Sequence, residues 1–312
     1  MINKEKFNEL KDIIEQYDSI VIFRHIHADF DALGSQLGLK HLLLDNYSSK
    51  KVYAFGNEND YHRDFIESMD NYDEEVIKNS LVIIIDTATT SRIDGEMWDN
   101  GRYVVRIDHH PLIQEFADYI LIDTDASSAS QIVLELAIES KWNISPTAAK
   151  YLYAGISSDT VKLSIDKVDS RLFADLSNLT LVPFSIHEVN RAIYDVDTTE
   201  FEQETFLRSK IRFSGDFAYL LVSLEELDNL NISVERAKEM VDMMGNIKGI
   251  TKYATIVQKD GHFYAVSLRS HGPVISDIAM KYGGGGHLLA SGISNLPTDK
   301  LKELIELMTE RR

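Results

Sequence analysis

The first half of the chain alternates short, continuously apolar runs with longer segments whose apolar residues recur at helical spacing. "SIVIFR" (19–24), "KVYAFG" (51–56), "SLVIIID" (80–86), "YVVRID" (103–108) and "DYILID" (118–123) are too short and too uniformly apolar for surface helices. Their enrichment in Val, Ile and Tyr predicts strands buried on both faces. "DALGSQLGLKHLLLDN" (31–46), "SASQIVLELAIESK" (128–141) and "SPTAAKYLYAGISSD" (145–159) predict helices, the last opened by Ser145 as cap and Pro146 in the first turn. Strands of this kind separated by helices predict an α/β unit, with a mostly parallel sheet flanked by helices. In such sheets ligands gather beyond the carboxyl ends of the strands.

The pattern changes near Val182. "SIHEVNRAIYDVDTTEFEQETFLRSKIRF" is charge-rich and helical, which predicts a helical connector over residues 186–212. It divides residues 1–185 from a smaller α+β domain over 213–312. There "FAYLLVSL" predicts a strand and "SVERAKEMVDMMGNI" a helix. "YATIVQKDGHFYAVSLRS" predicts a hairpin turning at Asp260–Gly261. "PVISDIAMKY" predicts a helix, "GGGGHLLASGI" a loop, and "DKLKELIELMTERR" the last helix. Two domains suit a chain of 312 residues.

Composition narrows the function. There is no cysteine, so disulfides and thiolate metal sites are excluded and a reducing, cytoplasmic setting is expected. No apolar stretch approaches the ~20 residues of a membrane span, so a soluble protein is expected. A net charge of −18 argues against long nucleic acid as the main ligand, since each phosphate contact needs a cation. It leaves room for a small phosphorylated substrate in one local pocket.

The strand ends collect acidic and imidazole groups. His25, Asp29 and Asp31 follow the first strand, Asp86 ends the third, and Asp108, His109 and His110 end the fourth. Asp159 closes a helical stretch in "GISSDT". Any one of these aspartates could be a helix cap, any one histidine a surface residue, and "DHHP" a turn. Together on one sheet edge they would crowd carboxylates at a cost that divalent cations relieve. An oxygen-rich set with two or three imidazoles suits Mn²⁺ or Mg²⁺. There is no GxxxxGK[ST] loop, so P-loop chemistry is not expected.

"HIHADFDALGS", "VIIIDTATTSR", "RIDHHP" and "GISSDT" resemble, in order, the four motifs of the DHH phosphoesterase superfamily. "SLRS" followed by "GGGGHLLASG" resembles its DHHA1-type C-terminal domain, and the combination resembles the bacterial nanoRNase/pAp-phosphatase group. Two departures stand out. Ala28 occupies a position usually held by proline, and leucines follow His287 where proline is usual. The resemblance implies two Mn²⁺ ions, with Mg²⁺ as the alternative. His25 and Asp29 would hold one, Asp31, His109 and Asp159 the other, and Asp86 would bridge them. Asp108 would orient His109, and His110 would face the substrate phosphate. Arg92 would support the site, and His27 has no required role. A hydroxide activated by the two ions would attack phosphorus in line.

In the second domain the glycine run can be a helix cap and linker, or a loop whose backbone N–H groups approach a phosphate closely. The resemblance favours the latter. It implies that Arg269, Ser270, Gly284, Gly285, Gly286 and His287 bind the far part of the substrate in an interdomain cleft. The implied substrates are short oligoribonucleotides, linear dinucleotides such as pApA, and pAp, with AMP and 5′-mononucleotides as products. Long nucleic acid and membranes are not expected as partners, and a homodimer is compatible. The alternatives are a cyclic-dinucleotide phosphodiesterase such as one acting on c-di-AMP, an inorganic pyrophosphatase, and a non-enzymatic nucleotide sensor. The membrane and sensory segments of cyclic-dinucleotide enzymes, and the extra modules of long-strand exonucleases, are not expected here.

Overall fold

The computed structural model describes residues 4–58 and 65–310. Residues 311–312 of the last predicted helix lie outside the described residues. The chain divides into two compact units, Met1–Asp195 and Val196–Arg312.

The first unit is built on five strands, β1 (Ser19–Phe23), β2 (Lys51–Ala54), β3 (Leu81–Ile85), β4 (Tyr103–Asp108) and β5 (Tyr119–Ile122), in the order β2-β1-β3-β4-β5. Every pairing is parallel. All five residues of β3 are buried, as are the last four of β1, which explains why both read as unbroken apolar runs. Its helices are α1 (Lys4–Glu15), α2 (Phe30–Asn46), α3 (Glu74–Lys78), α4 (Ala129–Glu139), α5 (Pro146–Asp159), α6 (Ser170–Leu179) and α7 (Ile186–Tyr194). Alternate strand residues face opposite ways. Ile20, Ile22, Ile83 and Ile107 join the core formed with α1, α2, α4 and α5, while Val21, Phe23, Val82 and Ile84 pack with Phe55, Ile77 and Trp98.

Glycines let α2 and α5 approach closely. A Cβ on Gly34 would stand 2.5 Å from the Tyr151 carbonyl oxygen. The strand order reverses direction between β1 and β3, so the crevice above their carboxyl ends is the topological switch point of the sheet.

The second unit contains α8 (Thr198–Ser209), β6 (Arg212–Ser214), β7 (Phe217–Val222), α9 (Leu224–Leu230), α10 (Val234–Glu239), β8 (Lys252–Gln258), β9 (Phe263–Ser270), α11 (Ser276–Lys281), β10 (Gly285–His287), β11 (Ala290–Pro297) and α12 (Leu301–Glu310). Its sheet runs β10-β11-β9-β8-β7-β6 and is mixed, with only β7 and β8 parallel. The segment predicted to be a helical connector forms two helices, α7 in the first unit and α8 in the second.

The glycine-rich segment expected as a loop is instead a hairpin. Gly285, Gly286 and His287 pair with Gly292, Ser291 and Ala290. Glycine has low strand propensity, so the ladder here comes from pairing with β11, itself paired with β9. The helix predicted over 233–247 is α10 followed by a 3₁₀ turn at Met240–Met244 that buries Met240, Val241 and Met244.

Candidate active site

Residues from three strand ends and one helix end converge above β1, β3 and β4. His25 Nε2 lies 3.6 Å from Asp29 Oδ2 and 3.5 Å from Asp86 Oδ2. His109 Nε2 lies 3.4 Å from Asp86 Oδ1, 3.4 Å from Asp159 Oδ2 and 3.9 Å from Asp31 Oδ2. Asp86 therefore turns one oxygen toward each histidine. Ligand-type atoms group as His25–Asp29–Asp86, as Asp31–His109–Asp159, and as Asp86–His109–His110.

Local structure aims each group. Asp29 is the N-cap of α2: its Oδ1 accepts from the backbone N–H groups of Asp31 and Ala32, both at 3.0 Å, which leaves Oδ2 for His25. Asp31 is fully buried in the first turn of α2. Its two oxygens accept from Ala129 N at 2.7 Å and Ser130 N at 2.9 Å, the first turn of α4. Those N–H groups have no partner within their own helix, and they carry partial positive charge. The His25 Nδ1 faces the Ile26 carbonyl oxygen at 2.8 Å. A carbonyl can only accept, so the neutral ring carries its hydrogen on Nδ1 and presents a lone pair at Nε2. Asp86 sits in the left-handed region at φ 50°, a strained conformation of the kind that clusters at functional sites. Asp159 is the last residue of α5.

Asp108 bonds to His110, not to His109 as expected. Its Oδ1 accepts from His110 N at 3.0 Å and pairs with His110 Nδ1 at 2.8 Å, while Oδ2 accepts from the buried Arg106. An aspartate readily reaches the backbone N–H two residues on, which is why the neighbour after next is the partner. Arg92 is exposed. Its carbonyl accepts from Ile26 N at 2.7 Å, and its guanidinium Nη2 lies 3.5 Å from His25 Nδ1. His27 is exposed at φ 54° and belongs to none of the three groupings.

In the second unit Arg269 lies on β9 opposite Ala290 of β11. Its Nη1 donates to the Leu268 carbonyl at 3.0 Å, and its Nε is 3.8 Å from Asp242 Oδ1. Ser270 is buried, with its N–H on the Leu289 carbonyl and its Oγ accepting from Gly272 N. His287 is exposed on β10. Side chains on Gly284 and Gly286 would collide with backbone, at 2.2 Å from Gly292 O and 2.6 Å from Ala290 O. Gly285 faces open space.

The first unit's cluster is electrostatically frustrated by itself. Burial, then the charge of Asp86, raises the Asp31 carboxyl above its usual range; burial, then Asp31, does the same to Asp159. Burial works against charge on His25 and His109. Hydrogen bonds and charges from Asp29 and Asp86 nevertheless bring His25 up to about 10, and those of Asp86, Asp31 and Asp159 bring His109 up to about 9. Asp86 Oδ1 and His109 Nδ1 are buried without a hydrogen-bond partner. The unpaired buried Asp86 oxygen beside several carboxylates and two imidazoles makes the donor set of a hard divalent cation, so the residues fit the expected metal.

A family model for the N-terminal domain of the DHH family matches residues 19–156, and a DHHA1 domain model matches residues 216–311. The bifunctional oligoribonuclease and PAP phosphatase NrnA of Bacillus subtilis (strain 168) is 33% identical over 301 residues, covering 95% of this chain and 96% of that protein. The chain belongs to the DHH family. The probable bifunctional oligoribonuclease and PAP phosphatase of Streptococcus mutans is 34% identical over 285 residues, covering 90% of this chain and 91% of its own. The crystal structure of an exopolyphosphatase-related protein from Bacteroides fragilis shares the fold, with a TM-score of 0.88 at 23% identity, covering 99% of this chain and 97% of that one. This DHH chain is an enzyme, a hydrolytic phosphoesterase. Among the described residues no helix is long and apolar enough to cross a membrane.

Three features of this DHH site escape sequence reasoning. The first turn of α4, which grips Asp31, is separated from it by almost a hundred residues. Gly155 of α5 lies so close that a Cβ there would stand 2.0 Å from Ser130 Oγ and 2.9 Å from Asp31 Oδ1. Arg106 did leave a signal: a single arginine inside the otherwise apolar "YVVRI" run.

Proposed function

We propose that this DHH protein is a Mn²⁺-dependent phosphoesterase that hydrolyses short oligoribonucleotides and linear dinucleotides to 5′-mononucleotides, and pAp to AMP. The observation that carries the reading is the convergence of His25, Asp29, Asp31, Asp86, His109 and Asp159 on one crevice. Similarity along nearly the whole chain to a bifunctional oligoribonuclease and PAP phosphatase supports the substrate class. We assign catalysis to residues 1–185, a connecting role to 186–212 and substrate binding to 213–312.

His25 and Asp29 would hold one ion, and Asp31, His109 and Asp159 the other, with Asp86 shared. Bound there, the ions would supply Lewis acidity that activates water and offsets charge on the phosphate oxygens. In the reaction the water oxygen bonds to phosphorus, the bond to the ribose oxygen breaks, and a proton passes to that leaving oxygen. Asp108 holds the His110 ring so that Nε2 is free to face the phosphate. Arg92 supports the same edge. Arg269, Ser270, Gly284, Gly285, Gly286 and His287 bind the remainder of the substrate.

One assay tests this reading: turnover of pAp, pApA, short RNA, cyclic dinucleotides and pyrophosphate in Mn²⁺ and in Mg²⁺, with products resolved by chromatography. Turnover of pAp and short RNA is expected, and Asp31→Asn is expected to abolish it while leaving the circular dichroism spectrum intact. Pyrophosphate cleaved faster than pAp would replace the proposed substrate class. An active Asp31→Asn would overturn the site.

A further inference from the structure

We propose that Arg106 is a positioning residue for His110, acting on it through Asp108; the inference rests on the phosphoesterase reading above. Arg106 lies in the middle of β4 and is fully buried, which for a guanidinium requires compensation from every side. Nε and Nη2 both donate to Asp108 Oδ2, at 3.2 and 2.5 Å. Nη1 donates to the Gln114 carbonyl at 3.0 Å. The guanidinium lies 5.1 Å from the centre of the Phe116 ring.

The arrangement divides the two oxygens of Asp108 between two tasks. Oδ2 belongs to Arg106, and Oδ1 belongs to the backbone N–H and Nδ1 of His110. Asp108 is itself fully buried, so without Arg106 its charge would be unpaired. With Arg106 in place it is an anchored acceptor, and the neutral His110 ring must carry its hydrogen on Nδ1. Nε2 is then the nitrogen left free, on a side chain 37% exposed.

The same guanidinium controls where the His110 loop lies. Its bond to the Gln114 carbonyl ties residues 109–114 back to β4. The Gln114 side chain in turn accepts from Thr90 N at 3.1 Å, in the turn that leads to Arg92. Lysine could supply charge at position 106 but not a rigid fork reaching Asp108 and Gln114 at once. A carboxylate orienting a histidine is a known way to fix ring and tautomer, and loss of such a partner typically costs roughly 10–100-fold in activity.

The test is a double-mutant cycle between Arg106→Lys and His110→Ala, run with saturating Mn²⁺ on whichever phosphoester of the panel the wild type cleaves best. Arg106→Lys is expected to lower kcat roughly 10–100-fold with KM within about twofold. It is expected to cost several-fold less in the His110→Ala background than in the wild type. An equal loss in the His110→Ala background would overturn the proposal, because Arg106 would then act elsewhere. So would a lowered melting midpoint with kcat intact. A second readout needs no variant: ¹H–¹⁵N correlation spectra of the metal-free wild type should show the neutral His110 ring protonated at Nδ1, and protonation at Nε2 instead would also overturn it. Absence of turnover on the whole panel would reject the proposed substrate class, while the same spectra of Arg106→Lys, expected to lose the Nδ1 preference, would still decide the role of Arg106.

Discussion

Val161 holds a backbone conformation that its side chain resists. It follows Asp159 by two residues, and it, Lys162 and Leu163 all lie in the left-handed region, at φ 47°, 58° and 64°. A β-branched residue there is a steric outlier costing about 1–2 kcal/mol, and Val161 is 57% exposed, so little packing offsets the cost. Glycine adopts this region freely but loses roughly 0.5–1 kcal/mol in chain entropy. Val161→Gly is therefore expected to leave stability unchanged or raise it by up to about 1 kcal/mol in urea unfolding. A clear loss would show that the strain is not where the dihedral places it. Glu67 offers a pH signature away from the cluster. The hydrogen bond from His41, then that from Lys40, lowers its carboxyl from 4.5 to about 2. A carboxyl depressed on folding contributes stability that is complete above its unfolded value and fades as pH falls toward its folded one. Wild type should thus lose more stability than Glu67→Gln between about pH 4.5 and 2. Parallel curves for the two proteins in that acid window would refute the assignment.

Glycines decide how closely the elements approach, and each makes a different prediction. Gly155 on α5 faces Asp31 and Ser130, whereas Gly38 on α2 faces the flexible end of Leu152, 2.6 Å from where its Cβ would lie. Both Ala variants should be destabilised by overpacking, typically about 1–3 kcal/mol. Only Gly155→Ala should also lose Mn²⁺ affinity in calorimetry, because only it displaces a ligand; equal affinities would argue that Asp31 has room to retreat. In the second unit Gly286→Ala, with its left-handed backbone and its clash against Ala290, should lower stability. Gly285→Ala should not, yet should raise KM if substrate approaches that open face. The same elements show what the sequence could tell. β1, β3 and β4 are legible because both of their faces are buried, and the His and Asp residues at their ends are legible because sheet topology sends strand ends to one edge. β10 was hidden because glycine has no strand signature, and its existence depends on a partner strand. The grip of α4 on Asp31 was hidden because it joins residues far apart in sequence, and the lone Arg106 in its apolar run marked a site without naming its partners, because hydrogen-bond choices are made after folding.

For the molecule as a whole, the two units have separate cores, and the candidate ligands lie entirely in the first. Both tryptophans, Trp98 and Trp142, also belong to the first unit, one packed beside Phe116 and the other beside Tyr47. Tryptophan fluorescence therefore reports unfolding of that unit alone. Any ligand bound only by the folded state stabilises it by RT ln(1 + [L]/Kd), about 2.7 kcal/mol at a hundredfold excess over Kd. Affinity should be higher than for an ordinary surface site, because a cation here relieves repulsion among buried carboxylates that lift one another's pKa. Mn²⁺ added to protein stripped with EDTA should thus raise the fluorescence-detected midpoint in a concentration-dependent way, and Asp31→Asn should abolish most of the shift. In hydrogen exchange without substrate, protection should grow at the ends of β1, β3 and α5 and stay level along β8 and β9. A midpoint that moves equally in Asp31→Asn, or protection that grows equally in both units, would place the ion somewhere other than this crevice.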